Sequence, residues 1–234
     1  MIIIPARLAS TRFPNKILAN IHGVPMVIAT AKRVQNLDNV AIAADTEEVV
    51  SIAHDYGFKA ILTSKEHQSG TDRINEAAQK LGLHADEIIV NVQADEPFIE
   101  EDVVQKVIER AKKRDTMITS ACKKITLEHV KDPNLVKVLL DAQYNAIYFS
   151  RSPIPYDREG GFDGYFGHLG IYGFTKHSLE TFCALPYAPV EHIEKLEQLR
   201  AIYYAHKIAM VEVESQSFGI DTKEDLERAL AFFN

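Results

Sequence analysis

At 234 residues the chain is long enough for one sizeable core and short for more than one large domain. With 46% hydrophobic and 25% charged residues it reads as an ordinary globular protein, and a formal net charge of -7 argues against nonspecific nucleic-acid binding. No run approaches a membrane span, no basic segment precedes a cleavable apolar stretch, and Cys122 and Cys183 have no metal-ligand spacing or disulfide framework. The expectation is a cytoplasmic protein with no membrane insertion.

Short apolar runs alternate with amphipathic stretches. Residues 2–5 read as a strand that breaks at Pro5 into a loop, 25–36 as a helix and 39–43 as a strand. Residues 47–56 are helical and 59–62 a strand, followed by a helix over 71–81. The apolar run 87–92 is typical of a central parallel strand. The cleanest helical stripe lies in 101–113, where Val103, Val104, Val107, Ile108 and Ala111 recur at helical spacing. This order predicts an α/β fold, a doubly wound and mostly parallel sheet with right-handed crossovers. After Thr116 the pattern changes to strands at 117–121, 135–140 and 146–150 without intervening helices, an added antiparallel β segment. A Gly-rich loop covers 153–164. Then come a strand at 165–174, helices at 176–184 and 192–204, a strand at 208–213 and a terminal helix from Lys223. The whole is one chain-continuous unit: 1–116 and 176–234 form the main body, and about 117–175 a β-rich segment.

Charge is unevenly placed. The first 37 residues hold five of the 26 basic side chains and none of the 33 carboxylates. Arg7, Arg12 and Lys16 fall in the loop after the first strand, where open α/β sheets bind ligands. Cations concentrated there in an acidic protein attract a compact polyanion such as a triphosphate, although a merely solvated basic loop is the alternative. The loop is neither a Walker loop nor a GxGxxG turn, since no glycine precedes Gly23.

Asn91-Val-Gln-Ala-Asp-Glu-Pro97 ends the most buried-looking strand and would bring Asp95 to the same rim. A carboxylate there suits Mg²⁺, which takes only one or two from the protein, or belongs to a simple turn, the reading favoured for Glu96. In Gly219-Ile-Asp-Thr-Lys-Glu-Asp225, Thr222 and Asp225 make a capping box, which leaves Asp221 free to project into a site. Ser69 and Asp72 form a similar box beside Gly70, whose lack of a side chain admits a ligand, and Arg73 is either a ligand contact or a surface residue. In the run from Phe166 to Gly173, His168, Gly170 and Tyr172 share one face and Leu169 and Ile171 the other. Glycines there mark close packing, and His168 is either a site residue or a hydrogen-bonded core histidine. Arg151 has the fork to hold a substrate carboxylate. The stretch 191–198 reads mostly as solvated helix surface, and no nucleophile dyad or triad stands out.

These segments together resemble the 3-deoxy-manno-octulosonate cytidylyltransferases, the CMP-Kdo synthetases of Gram-negative bacteria. Seven motifs carry the resemblance in order: residues 4–16, His67-Gln-Ser-Gly-Thr-Asp-Arg73, 90–97, Tyr148-Phe-Ser-Arg151, 168–173, 191–200 and Gly219-Ile-Asp-Thr222. The resemblance implies a nucleotidyltransferase-type fold and the reaction of CTP with Kdo to give CMP-Kdo and diphosphate for lipopolysaccharide synthesis. It also implies Mg²⁺ as cofactor and a homodimer, with 117–175 as the sugar-binding and dimerisation segment. Carried over, Arg7, Arg12, Lys16, Arg73 and Gln93 bind the nucleotide, Lys16 and Arg12 act in catalysis, and Asp95 and Asp221 hold Mg²⁺. Arg151, His168, Tyr172, Glu197 and Gln198 line the sugar-acid pocket. The chain departs from the family in having Ala94 where glycine is usual and in a shorter stretch over 155–164. CMP-sialic acid synthetases, which also act on a 2-keto sugar acid, are the nearest rival reading; a nucleotide-binding regulator without turnover is the other.

Overall fold

The computed structural model describes residues 1–10 and 12–233, so Thr11 of the 4–16 motif lies outside the described residues. β1 (Ile2–Ala6) is followed by a 3₁₀ turn at Lys16–Leu18 and a small hairpin, β2 (Asn20–Ile21) and β3 (Val24–Pro25). Then α1 (Met26–Val34), β4 (Val40–Ala44), α2 (Glu47–Asp55), β5 (Lys59–Leu62), α3 (Gly70–Lys80), β6 (Ile88–Asn91) and α4 (Glu101–Ala111) alternate in the expected order. Thr46 and Ser69 start α2 and α3 by accepting the N–H of Val49 and Asp72. Ser69 and Asp72 do not complete a reciprocal box, because the Asp72 carboxylate takes the Ser69 hydroxyl instead.

β1 does not break at Pro5. Pro5 pairs with Ala43 of β4, and the strand is buried at all five positions. Ile2 N–H bonds Asn39 and the Ala6 carbonyl accepts from Asp45, so these residues face β4. Alternation turns Pro5 towards β6, where pairing with β1 ends at Ile3 and Asn91. Its missing N–H therefore interrupts no ladder bond.

Past residue 116 the expectation needs correction. β7 (Ile118–Lys124) leads into a short helix, α5 (Leu127–Val130), before the antiparallel pair β8 (Lys137–Leu140) and β9 (Ala146–Ser150). β10 (Phe166–Thr175) then inserts antiparallel between β6 and β7. α6 (Lys176–Ala184) follows, and the single helix expected over 192–204 is two, α7 (Pro189–Glu194) and α8 (Leu199–Tyr203). Lys195 separates them in a left-handed conformation with φ 55°. β11 (Ile208–Glu212) pairs parallel with β7, and α9 (Lys223–Phe232) closes the described chain. The main sheet has the order β11-β7-β10-β6-β1-β4-β5, with β8 and β9 extending from β10.

Helices cover both faces. Ile2 and Ile4 of β1 pack in a core with residues of α1, α2 and α4, while Ile3 packs with residues of α3, α6 and α8. Burying Val103, Val104, Val107 and Ile108 of α4 contributes about 1.5–3 kcal/mol per side chain. On β10, Leu169 and Ile171 join the α4 side, and Tyr172 and Phe174 the other, as the alternation predicts. Close packing falls at Gly167 and Gly173, where a Cβ would sit 2.8 Å from Ile125 Cγ2 and 3.0 Å from Ala111 Cβ, respectively. Tyr172 lies opposite Asn91, the last residue of β6, so the preceding part of β10 projects past the carboxyl end of β6. That projection builds half of the site.

Candidate active site

The basic loop after β1 meets two carboxylates from distant segments. Lys16 Nζ lies 2.6 Å from Asp95 Oδ2 and 2.9 Å from Asp221 Oδ1, and Arg12 reaches Asp221 Oδ2 at 2.9 Å. Asp95 arrives from the turn after β6; Asp221 arrives just before α9, where Thr222 and Asp225 form the capping box and leave it free. Ile220 N–H donates to the Asp95 carbonyl at 2.9 Å, tying the two segments together. Burial disfavours the charge of Lys16, but Asp95 and Asp221 outweigh it and hold its pKa above the ordinary lysine value. Burial likewise opposes the charge of Asp221, and Lys16 and Arg12 reverse the balance to keep its pKa low.

A cleft of about 250 Å³ opens beside this cluster, lined by Arg7, Lys16, Arg73, Gln93, Asp95 and the 67–70 segment. Arg73 is neither a surface residue nor free: it is 2% exposed, and its guanidinium donates to Thr63 Oγ1 and the Ser64 carbonyl. Gly70 admits close approach by the chain itself, since a Cβ there would meet Pro5 Cγ at 3.2 Å.

A second cleft of about 370 Å³ shares Gly70 and Gln93 with the first. His168, Tyr172, Glu197 and Gln198 line it, as does Lys195. Their hydrogen bonds define one arrangement. Ser120 Oγ–H donates to the Ile171 carbonyl at 2.7 Å, so the hydroxyl oxygen accepts from His168 Nε2 at 2.9 Å. His168 Nδ1 is then the acceptor facing the Gln198 carboxamide nitrogen at 3.5 Å, and Tyr172 donates to Gln198 Oε1 at 3.4 Å. Burial pushes His168 down to about 3, which keeps it in this neutral form. Its contribution to stability is full above the ordinary histidine value of 6.5 and is lost as the pH falls towards 3. Glu96, pushed up to about 7 by burial and by Asp95, gives the opposite slope below pH 7. The difference between variants isolates the histidine: wild type should be more stable than His168→Gln by a margin that shrinks from pH 7 to pH 4. Denaturant unfolding at both pH values measures it, and a constant margin would contradict a neutral His168.

The stretch 191–198 is solvated only in part: His192, Ile193 and Lys195 are exposed. Glu191, Gln198 and Arg200 are buried, and Arg200 pairs through two nitrogens with Glu191, Nε to Oε2 at 2.9 Å. Glu197 Oε2 accepts from Thr71 at 2.8 Å, while its Oε1 has no hydrogen-bond partner among the described residues. Burial raises the Glu197 pKa against the pull of Thr71, Ser69 and Arg200. Arg151 does not line either cleft as described. It donates instead to the carbonyls of Glu194, Pro133 and Lys195, supporting the turn that carries the cleft residues. Lys195 and the half-buried Glu96 carry no local signal in the sequence; a cation after a helix and an Asp-Glu-Pro turn look ordinary.

The same chain matches known proteins along its length. Residues 1–208 fit the family profile described as cytidylyltransferase. A 3-deoxy-manno-octulosonate cytidylyltransferase from a Nitratiruptor species is 60% identical, covering 100% of this chain and 99% of its own. The corresponding protein of Wolinella succinogenes is 53% identical over 100% of this chain and 99% of its own. A solved structure of CMP:2-keto-3-deoxy-manno-octonic acid synthetase complexed with CTP superposes with a TM-score of 0.93. It shares 35% identity and covers 99% of this chain and 97% of that one. A cytidylyltransferase of Leptospira borgpetersenii, 18% identical with a TM-score of 0.63, shares the fold over 100% of this chain and 87% of its own. With its basic loop, paired aspartates and second cleft each on a matching segment, the chain belongs to the cytidylyltransferase family, among the 3-deoxy-manno-octulosonate cytidylyltransferases.

Proposed function

We propose that this chain transfers CMP from CTP to Kdo, giving CMP-Kdo and diphosphate for lipopolysaccharide synthesis. One observation carries the mechanism: Asp95 and Asp221, from separate ends of the fold, converge on a single cation point marked by Lys16 Nζ. No group of three or more metal-ligating side chains exists among the described residues. A pair of carboxylates fits Mg²⁺, which keeps water and phosphate oxygens for its other positions. Asp95 and Asp221 would hold it, and when bound it would neutralise phosphate charge and favour loss of diphosphate.

The chain's own residues do the rest. Arg7, Arg12 and Lys16 draw the triphosphate to the first cleft and offset its charge, with Gln93 and the N-terminus of α3 beside it. Arg73 lines the same cleft while its guanidinium holds the Thr63 hydroxyl and the Ser64 carbonyl. The sugar acid occupies the second cleft, where His168, Tyr172, Glu197 and Gln198 read its hydroxyls and Lys195 meets its carboxylate. Because the two clefts share Gly70 and Gln93 as walls, a sugar acid in one would meet the nucleotide in the other, and orientation would contribute much of the rate. In this reading 1–234 is a single domain with 117–175 as its sugar-binding and dimerisation segment. Exposed Tyr156 and Ile147 on that segment support a homodimer, and free Cys122 and Cys183 suit a cytoplasmic enzyme.

The test is diphosphate release from CTP with Mg²⁺ and Kdo, 8-amino-Kdo or sialic acid as acceptor. Release with a Kdo-type acid alone is expected. Release with sialic acid would change the acceptor while keeping the mechanism, and silence with every acceptor would favour a binding protein without turnover.

A further inference from the structure

The segment 213–221 that delivers Asp221 has no strand or helix of its own. Its backbone groups must find partners elsewhere, since unpaired buried N–H and C=O groups are costly. Over residues 215–217 two charged side chains supply them. Glu100 accepts from Gln216 N–H at 2.8 Å, Ser217 N–H at 3.2 Å and Ser215 Oγ at 2.8 Å. Lys123 of β7 donates to the carbonyls of Ser215 at 2.9 Å and Ser217 at 3.4 Å. Glu100 stands at the N-cap of α4 yet makes no side-chain cap bond there; its carboxylate is turned to the strap instead. The strap then continues to fully buried Ile220, whose N–H bonds the Asp95 carbonyl immediately before Asp221.

We propose that Glu100 and Lys123 are positioning residues that clamp this strap and so bring the Asp221 carboxylate to the cation point shared with Asp95. The inference rests on the metal reading given above. Hydrogen bonds to charged groups are the stronger kind, which suits an anchor for irregular chain. The opposite signs grip both types of backbone group: the carboxylate takes donors and the ammonium takes acceptors. The Asp221 carboxylate is half-exposed and pairs, among the described residues, with Lys16 and Arg12, while its N–H donates to Asp225 Oδ2 at 3.2 Å, so its place depends on where the strap and the start of α9 set its backbone.

Glu100→Ala and Lys123→Met test this with Mn²⁺ as the probe, its binding to the CTP complex read by electron paramagnetic resonance. Amide exchange at Ile220 is followed in parallel. Both variants should weaken Mn²⁺ binding by about tenfold, the usual effect of losing an outer partner of a metal ligand. Ile220 exchange should accelerate by a similar factor, while KM for Kdo moves by less than about twofold. Glu100→Gln, which keeps an acceptor oxygen for the two N–H groups, should recover part of both losses. If Glu100→Ala fails to fold, Lys123→Met and Ser215→Ala carry the same test. Unchanged Mn²⁺ affinity and Ile220 protection in folded variants would overturn the clamp. Failure of the metal reading looks different: wild type and Asp221→Asn would then bind Mn²⁺ no better than free CTP, and Ile220 protection alone would decide the clamp.

Discussion

Asp95→Asn should lower kcat by roughly 10²–10³, the scale on which removing one preorganised charge-stabilising group acts. The substitution keeps the size of the side chain and the backbone tie from Ile220 to the residue 95 carbonyl, so the fold should survive. What it removes is one of the two negative charges that converge on Lys16 Nζ. Asp221 keeps its contacts with Lys16 and Arg12, but the pair that would hold the divalent cation is reduced to one carboxylate. Lys16→Met should also cost turnover for the opposite reason: the carboxylates lose their bridging ammonium and the phosphates lose a cation. Diphosphate release over a range of Mg²⁺ and CTP concentrations separates the two. Asp95→Asn should not be rescued by raising CTP, whereas Lys16→Met should show a higher KM for CTP as well as a lower kcat. Asp95→Asn retaining more than about half of wild-type activity would refute the paired-carboxylate site.

The second large effect is on stability. Arg200 is 2% exposed, paired with Glu191 and sandwiched between Phe182 and Tyr187, with ring centroids 4.9 and 4.5 Å from its guanidinium carbon. Arg200→Met leaves Glu191 buried with, among the described residues, the Ala188 N–H as its one remaining partner. Breaking a buried pair from one side costs about 3–5 kcal/mol. For a domain of this size that lowers Tm by roughly 6–20 °C. Arg200→Met combined with Glu191→Leu should regain much of the loss, because no unpaired charge is then buried. The pair also supports the turn that presents Glu197 and Gln198, so folded Arg200→Met should show a raised KM for Kdo and a nearly unchanged KM for CTP. Thermal unfolding and steady-state kinetics measure both. A Tm within about 2 °C of wild type would show that the pair is not the anchor its burial implies.

The two predictions differ in how far their residues can be read before folding. Asp95 follows a long apolar run, and any parallel strand ends by placing the next residues at the ligand-binding rim. Asp221 is legible because Thr222 caps α9 and removes the usual structural reason for an aspartate there. The absence of carboxylates before Asp38 implies that Arg12 and Lys16 must find their partners in distant segments. Arg200 and Glu191 are another matter. On one continuous helix, nine residues apart, they would face opposite sides, and the break at Lys195 brings them together. Arg151 shows the converse, a residue with a suitable fork whose Nε and terminal nitrogens reach carbonyls around the turn and not the cleft.

The alternation of strands and helices through residue 113, the apolar stripe of α4 and the cation-rich rim are legible before folding, since these depend on local periodicity and composition. Tertiary structure alone decided that β10 enters antiparallel between β6 and β7, carrying His168 and Tyr172 past the end of β6 to form the second cleft. It also decided which charges are buried and which backbone groups they hold, as Glu100 and Lys123 do for the strap. Strand partners and polar partners are chosen by contacts between residues far apart in the chain, and neither period nor spacing records that choice.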